Sequence, residues 1–386
     1  VRATGAEFVP LPPAADYDDR LDLVAQNPDS ATMKGLKLAI SQTDRYIVRP
    51  GREQYRTVMA CHAQEPVDVL LAETAFLGAA FLLGHTRGTR PPIVACGVIP
   101  LLLASRDTAP IGLGLPPLRG PVGRWRNRAL SAVMDRTLFA PVNASADGIN
   151  RGLHGRPLGF PVLDWPRHAE ALAQFTVAAF EYPRSDAPEN LHFIGPVLSP
   201  SRAPLPPWWD ELDGSRPVVH VTQGTFANKD LRQVIVPALQ GLAGDDVLVV
   251  VSTGGRSLDT LPPLPANARA AEMLPYDELL PRTDVYVTNG GYGGVHYALC
   301  HGVPVVTTGG LEDKPEVGAR VAWAGVGRRL RSETPSPERL AHAVRAVLED
   351  PSYRRAAEGM AEAMARSGGL GELGRIVDAL VPDGGR

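Results

Sequence analysis

The run Val287-Thr-Asn-Gly-Gly-Tyr-Gly-Gly-Val-His-Tyr-Ala-Leu-Cys-His-Gly-Val-Pro-Val-Val-Thr307 limits what this chain can fold into more than any other stretch. A strand from Asp284 to Val287 meets glycines 290, 291, 293 and 294, a short helix follows, and a second apolar strand comes after Gly302-Val303-Pro304. Glycine has no Cβ, so the backbone there can pass very close to a ligand. The helix that begins near Gly293 points unpaired N–H groups and the positive end of its dipole into the same gap. Strand, glycine turn and helix N-terminus together make a cradle for phosphate. The same arrangement also serves as a plain tight connection, and the neighbouring segments decide between the two.

Those neighbours repeat the strand–loop–helix pattern. Pro217 to Thr222 is a β-rich run ending in Gln223-Gly224-Thr225, with helical spacing over Leu231 to Leu242. Val247 to Val251 is an apolar strand followed by Ser252-Thr253-Gly254-Gly255, and Ala268 to Leu274 is a third strand before a short helix at Asp277 to Leu280. Strand 284–288, helix 293–301, strand 303–307 and helix 316–324 continue the series. Continuous apolar strands alternating with helices predict an α/β, doubly wound parallel sheet covered on both faces. Ligands of such sheets bind beyond the carboxyl ends of the strands. The small or polar tips at Gly224-Thr225, Gly254-Gly255, Asn289 to Gly294 and Thr308 to Asp313 are therefore expected to converge on one crevice.

At 386 residues the chain suits two domains, since single hydrophobic cores rarely grow past about 250 residues. The boundary is expected in the proline-dense stretch Gly195 to Pro207, which regular structure cannot cross. The predicted divisions are 1–196, a linker at 197–215, 216–368, and a last segment at 369–386. Trp208 and Trp209 are expected to pack that linker onto the second domain. A net charge of −3 gives no basic patch for nucleic acid. The longest apolar stretch, Ala75 to Gly84, is too short to span a bilayer. Cys61, Cys96 and Cys300 have no C-x-x-C spacing, which fits a reduced, cytoplasmic compartment and no zinc site.

The order and spacing of these motifs resemble the family-one glycosyltransferases of the two-domain GT-B type, in their bacterial natural-product or macrolide-type branch. The resemblance runs from Gly5 to Leu380 and is strongest across 216–331. The family's His-Gly-Gly-x-Gly-Thr phosphate motif stands here as Asn289-Gly-Gly-Tyr-Gly-Gly294, its sugar-contacting Asp-Gln-Pro as Asp313-Lys314-Pro315, and its Gly-Ser as Gly224-Thr225. This implies two Rossmann-like domains facing across a cleft, with a last helix crossing back to the first. It places the donor at Gly224, Thr225, Met273, Leu274, Asn289, Gly290, Gly291, Gly293, Gly294, Glu312, Asp313 and Lys314. The implied reaction is an inverting, metal-independent hexosyl transfer. A hexose or deoxyhexose moves from a UDP- or TDP-sugar, the co-substrate, to a hydroxyl of a lipophilic small molecule, with no further cofactor. Departures are Asn289 for histidine, Gly294 for a hydroxyl residue, Tyr297 for a ribose-binding glutamate, Met273 for a base-stacking tryptophan, and Lys314 for glutamine. A nucleotide-sugar epimerase of this architecture, or a nucleotide-sugar-binding protein without transferase activity, are the alternatives.

The sequence begins at Val1, and Glu7 to Pro10 reads as the second strand of a domain. The family's opening βα unit, whose loop carries the histidine base, is absent from it, so donor binding with little turnover is expected of the chain as it stands. Glu73, ending the strand Pro66 to Glu73, matches the carboxylate that orients that histidine. It serves equally as a cap for the helix that follows near Ala75. The apolar loop through Gly97 to Leu103 and Ala109 to Pro117 either lines an acceptor pocket or packs on its own core, and Ser105, Arg106 and Asp107 are its candidate polar groups.

Overall fold

Among the described residues (4–16, 32–33, 35–200, 203–225, 228–310 and 312–381) the computed structural model contains two all-parallel sheets. The first joins β1 (Leu70–Glu73), β2 (Ile93–Gly97), β3 (Ala171–Gln174) and β4 (Leu191–Phe193) in the order β1-β2-β3-β4. The second holds β5 (Val218–Thr222), β6 (Leu248–Ser252), β7 (Ala268–Ala271), β8 (Val285–Thr288), β9 (Val305–Thr307) and β10 (Gly327–Arg329), ordered β10-β9-β8-β5-β6-β7. Residues 1–3, 17–31, linker positions 201–202 and the tail 382–386 lie outside the described residues.

Every residue of β5, β6, β8 and β9 is buried, which is why these strands read as mostly apolar runs instead of alternating ones. Their side chains still alternate between faces. On β6, Val249 and Val251 join Ile235, Leu340 and Val344 from helices 235–241 and 337–349. Leu248 and Val250 join Trp209, Leu274 and Leu279 on the opposite face. Burial of each such side chain contributes about 1.5–3 kcal/mol. Local signals set the helix ends: Ser336 accepts from the Arg339 N–H with Pro337 just inside helix 337–349.

Several expected boundaries shift. Residues 7–10 form no strand, and Phe8 and Val9 are 61% and 47% exposed; without a ladder partner their extended backbone is not a strand. β1 starts at Leu70 instead of Pro66, because the Val67 N–H is taken by His62 Nδ1 at 2.9 Å. β7 stops at Ala271, and the helix expected from 316 begins at Lys314 with Pro315 in its first turn.

The chain passes between the two halves twice, and the two passages touch. The Gly369 N–H donates to the Ile194 carbonyl at 2.7 Å, and a Cβ on Gly195 (φ +88°) would lie 1.8 Å from Ser367 Oγ. The last helix, Gly369–Asp378, then packs on the first sheet, with Ile376 against Val94, Ala171 and Ile194. Trp209 is buried against the second sheet, and Trp208 Nε1 donates to the Ala270 carbonyl at 3.2 Å.

Two histidines are fully enclosed. His220 on β5 lies 2.8 Å from the Val250 carbonyl, and His296 meets Thr176 Oγ1 of the other half at 2.7 Å. Burial pushes both imidazoles down to about 4 from an ordinary 6.5. The unfolded chain then takes up protons that the folded chain refuses. Their contribution is complete above about pH 6.5 and is lost as pH falls from there towards 4, by about 3 kcal/mol for each histidine. Urea midpoints should therefore drop markedly between pH 7.5 and 5, and a flat profile over that window would contradict the assignment.

Candidate functional site

The strand order of the second sheet reverses between β5 and β8, the position where open α/β sheets bind ligands. Both strands end there in a polar residue and a glycine, Gln223-Gly224 and Asn289-Gly290, with Gly224 and Gly290 at φ +69° and +97°. Side-chain amides hold the tips together. Asn289 Nδ2 donates to the Gln223 carbonyl at 2.9 Å. Asn228 Nδ2 reaches the carbonyls of Gly224, Thr253 and Gly254 at 3.0, 3.0 and 3.2 Å. Asp230, not Thr225, caps the short turn beyond, accepting from the Arg232 N–H. Thr225 is exposed on the rim.

Helix Tyr292–Cys300 starts at this crevice with Gly291 as its N-cap and no side-chain cap. Its first-turn N–H groups therefore have no partner within the helix. A Cβ on Gly291 or Gly293 would meet no atom within 4 Å, so packing does not require glycine at either position. At Gly294 a Cβ would lie 2.7 Å from the Tyr286 hydroxyl, which accounts for the missing side chain there. Across the crevice, burial raises the Asp313 carboxyl, with the Lys314 charge opposing. Lys314 Nζ pairs with Glu312, a non-glycine residue held at φ 57°, a conformation that costs on the order of 1 kcal/mol.

Other expected donor contacts divide. Met273 is 46% exposed beside Gly255. Leu274 is a correction: its side chain is core, packed with Leu248, Val250 and Leu279. The Tyr297 hydroxyl donates to the Ser199 carbonyl in the linker. Glu73 is engaged locally, accepting from Thr74 Oγ1 at 2.9 Å and the Ala75 N–H at 2.8 Å. Among the described residues no histidine bonds to it.

In the first half, the apolar loop both packs on its own core and lines a cavity. Leu101 and Leu103 enter the core, while Leu102 faces a cavity of about 150 Å³ with Ile111, Phe139, Leu163 and Tyr182. Ser105 lines this cavity, held by Asp186 at 2.6 Å. Arg106 and Asp107 are not in its lining and bond Ser185 instead.

Residues 237–380 match the family of erythromycin biosynthesis protein CIII-like C-terminal domains. The chain is 38% identical over 362 residues to 4'-demethylrebeccamycin synthase of Lentzea aerocolonigenes, covering 92% of this chain and 83% of that protein. It belongs to this glycosyltransferase family. UDP-glucosyltransferase A1 of Starmerella bombicola is 32% identical over 373 residues, 93% of this chain and 78% of that one. The fold agrees with that of the kitacinnamycin glycotransferase, at a TM-score of 0.70 and 20% identity over 99% of this chain and 88% of the other. The spinosyn rhamnosyltransferase complexed with thymidine diphosphate gives 0.62 and 19%, over 91% and 83%. The chain is thus a glycosyltransferase of the natural-product type with the two-domain GT-B architecture.

Sequence reasoning missed the transferase's most buried charges. Arg320, on helix 314–323, donates through Nε and Nη2 to Glu181 of the other half at 2.9 and 3.0 Å, and through Nη1 to Glu316 at 3.0 Å. The Glu181 and Arg320 side chains are each 1% exposed. Burial alone would raise the Glu181 carboxyl, but the charges of Arg320 and Arg184 outweigh it and the net direction is downward. Glu181 and Arg320 stand 139 positions apart, and neither sits in a motif, so no local pattern marks them.

Proposed function

We propose that this transferase moves a hexose or deoxyhexose from a UDP- or TDP-sugar to a hydroxyl of a lipophilic small molecule, with inversion and without a metal ion. One observation carries the reading. The uncapped N-terminus of helix 292–300 opens at the β5/β8 switch point, with Asp313 and Lys314 at the start of helix 314–323 beside it. As the bond from the anomeric carbon to the diphosphate breaks, negative charge builds on the leaving oxygens. The first-turn N–H groups around Gly293 and Gly294, with the helix dipole, oppose that charge from fixed positions. Thr225 adds a donor from the facing tip, and Gly224, whose own N–H donates to Thr222 Oγ1 at 3.1 Å, lets the backbone come close to the ligand. Asp313, Lys314 and Glu312 hold the sugar hydroxyls. The relatives' names, a UDP-glucosyltransferase and a rhamnosyltransferase complexed with thymidine diphosphate, support both kinds of donor.

The acceptor enters the apolar cavity beside the loop of Leu102 and Ile111, which suits a greasy molecule carrying a few polar groups. Its hydroxyl oxygen attacks the anomeric carbon from the face opposite the diphosphate, which inverts that centre, and gives up its proton to a base. Glu73 is the orienter of such a base. Each of its oxygens has one local donor and a second lone pair to accept an imidazole N–H.

Calorimetric titration with UDP, TDP and GDP tests the donor half directly. One nucleotide is expected to bind in preference to the others. Asn289→Asp sets a carboxylate against the Gln223 carbonyl and beside the diphosphate, and should weaken that nucleotide at least about tenfold. A chain that melts cooperatively yet binds none of the three would reduce the glycine turn to a connection and end this reading.

A further inference from the structure

We propose that Glu316 is a positioning residue that couples an occupied donor site to the wall of the acceptor cavity. The proposal rests on the donor assignment above and goes beyond it. Glu316 sits in the first turn of helix Lys314–Trp323, two residues after Lys314. Its Oε1 accepts two N–H groups from the apolar loop of the other half, Gly112 at 2.9 Å and Gly114 at 2.7 Å. Both glycines have positive φ, +92° and +54°, which turns alternate amides onto a single oxygen. The second carboxylate oxygen takes Arg320 Nη1 at 3.0 Å, and Arg320 is itself fixed by Glu181.

The grip on the loop has two further parts. Arg329 Nη1 donates to the Gly114 carbonyl at 2.6 Å, so this one residue is held by both its N–H and its C=O. A Cβ on Gly114 would lie 2.6 Å from the Pro315 carbonyl, so the loop lies directly on the first turn of the helix. On its other side the same loop presents Ile111 to the cavity, and Glu316 reaches that cavity too. A sugar held by Asp313 and Lys314 therefore fixes the helix turn that fixes the loop, and the acceptor wall becomes ordered when the donor is in place. An apolar side chain at 316 would leave two loop amides and the Arg320 charge without this shared partner.

Hydrogen exchange of the 104–118 peptide, measured with and without UDP-glucose or TDP-glucose, tests the coupling. In the unmodified chain the sugar nucleotide is expected to slow exchange at Gly112 and Gly114 at least about threefold, and Glu316→Ala should raise their basal exchange about tenfold and abolish the response. Glu316→Gln keeps a carbonyl for the same two N–H groups and should recover most of the protection, which a general loss of stability would not produce. Nucleotide affinity should change less than about threefold in either variant. Unchanged loop exchange in Glu316→Ala, or full protection by the sugar nucleotide without Glu316, overturns the proposal. If Glu316→Ala does not melt cooperatively, Gly112→Ala decides. Its Cβ has open space, but its φ of +92° disfavours alanine and displaces the N–H without touching the buried charges; an unchanged response there also overturns the proposal. A chain that binds neither sugar nucleotide removes the donor assignment and the coupling together. Binding without any change in loop exchange removes the coupling alone.

Discussion

Gly293→Val is expected to leave the melting temperature of the chain unchanged or slightly raised while lowering its nucleotide affinity by about a hundredfold. The two effects part because position 293 is exposed, inside the first turn of helix 292–300, and an added Cβ meets no protein atom within 4 Å. The new side chain fills the space through which the first-turn N–H groups reach a diphosphate. Differential scanning calorimetry beside nucleotide titration measures both effects on one preparation. A variant that binds as tightly as the parent would show that the phosphate lies elsewhere. The same substitution at Gly294 would not be informative, since the Tyr286 hydroxyl already occupies that space.

The largest stability effect is expected at Arg320. Arg320→Met leaves Glu181 and Glu316 buried without their shared cation, and breaking such a pair from one side costs about 3–5 kcal/mol. Restoring charge balance with Glu181→Gln in the same chain should return part of that loss, because buried pairs are worth little against neutral groups of similar volume. Urea unfolding of the single and double variants measures both values. A single-variant cost below about 1 kcal/mol would mean that water reaches the carboxylates and the junction is looser than its packing indicates.

The second half was legible because each of its parts is contiguous. A buried parallel strand, a glycine tip and a capped or deliberately uncapped helix follow one another within some thirty residues, and β5, β6, β8 and β9 lie close to where their apolar runs put them. Local readings failed where a distant partner decided the outcome. Glu7 to Pro10 has strand composition but pairs with no strand among the described residues. Leu274 sits beside the crevice in sequence, yet Trp209 and Leu248 draw its side chain into the core. Glu73 was correctly placed at a strand end, and only the structure revealed that its oxygens hold Thr74 and Ala75. The Glu181–Arg320–Glu316 cluster has no periodicity or motif, since it arises from two folded surfaces meeting.

The side-by-side passages between the halves, at Ile194-Gly195 and Ser367 to Gly369, govern how this protein can be recombined. A single crossover at the linker would leave the last helix from the wrong parent lying on the first sheet, with Ile376 and its neighbours facing foreign side chains. Exchanging 196–366 as one cassette places both seams at the same spot. The first half then keeps its own final helix, and the foreign surfaces meet at the loop clasp, the Glu181–Arg320 pair, the Thr176–His296 contact and the Val177 and Phe180 side chains packed among Tyr292 and Val295. A chimera built this way has a short, known set of contacts to match before its specificity can be read.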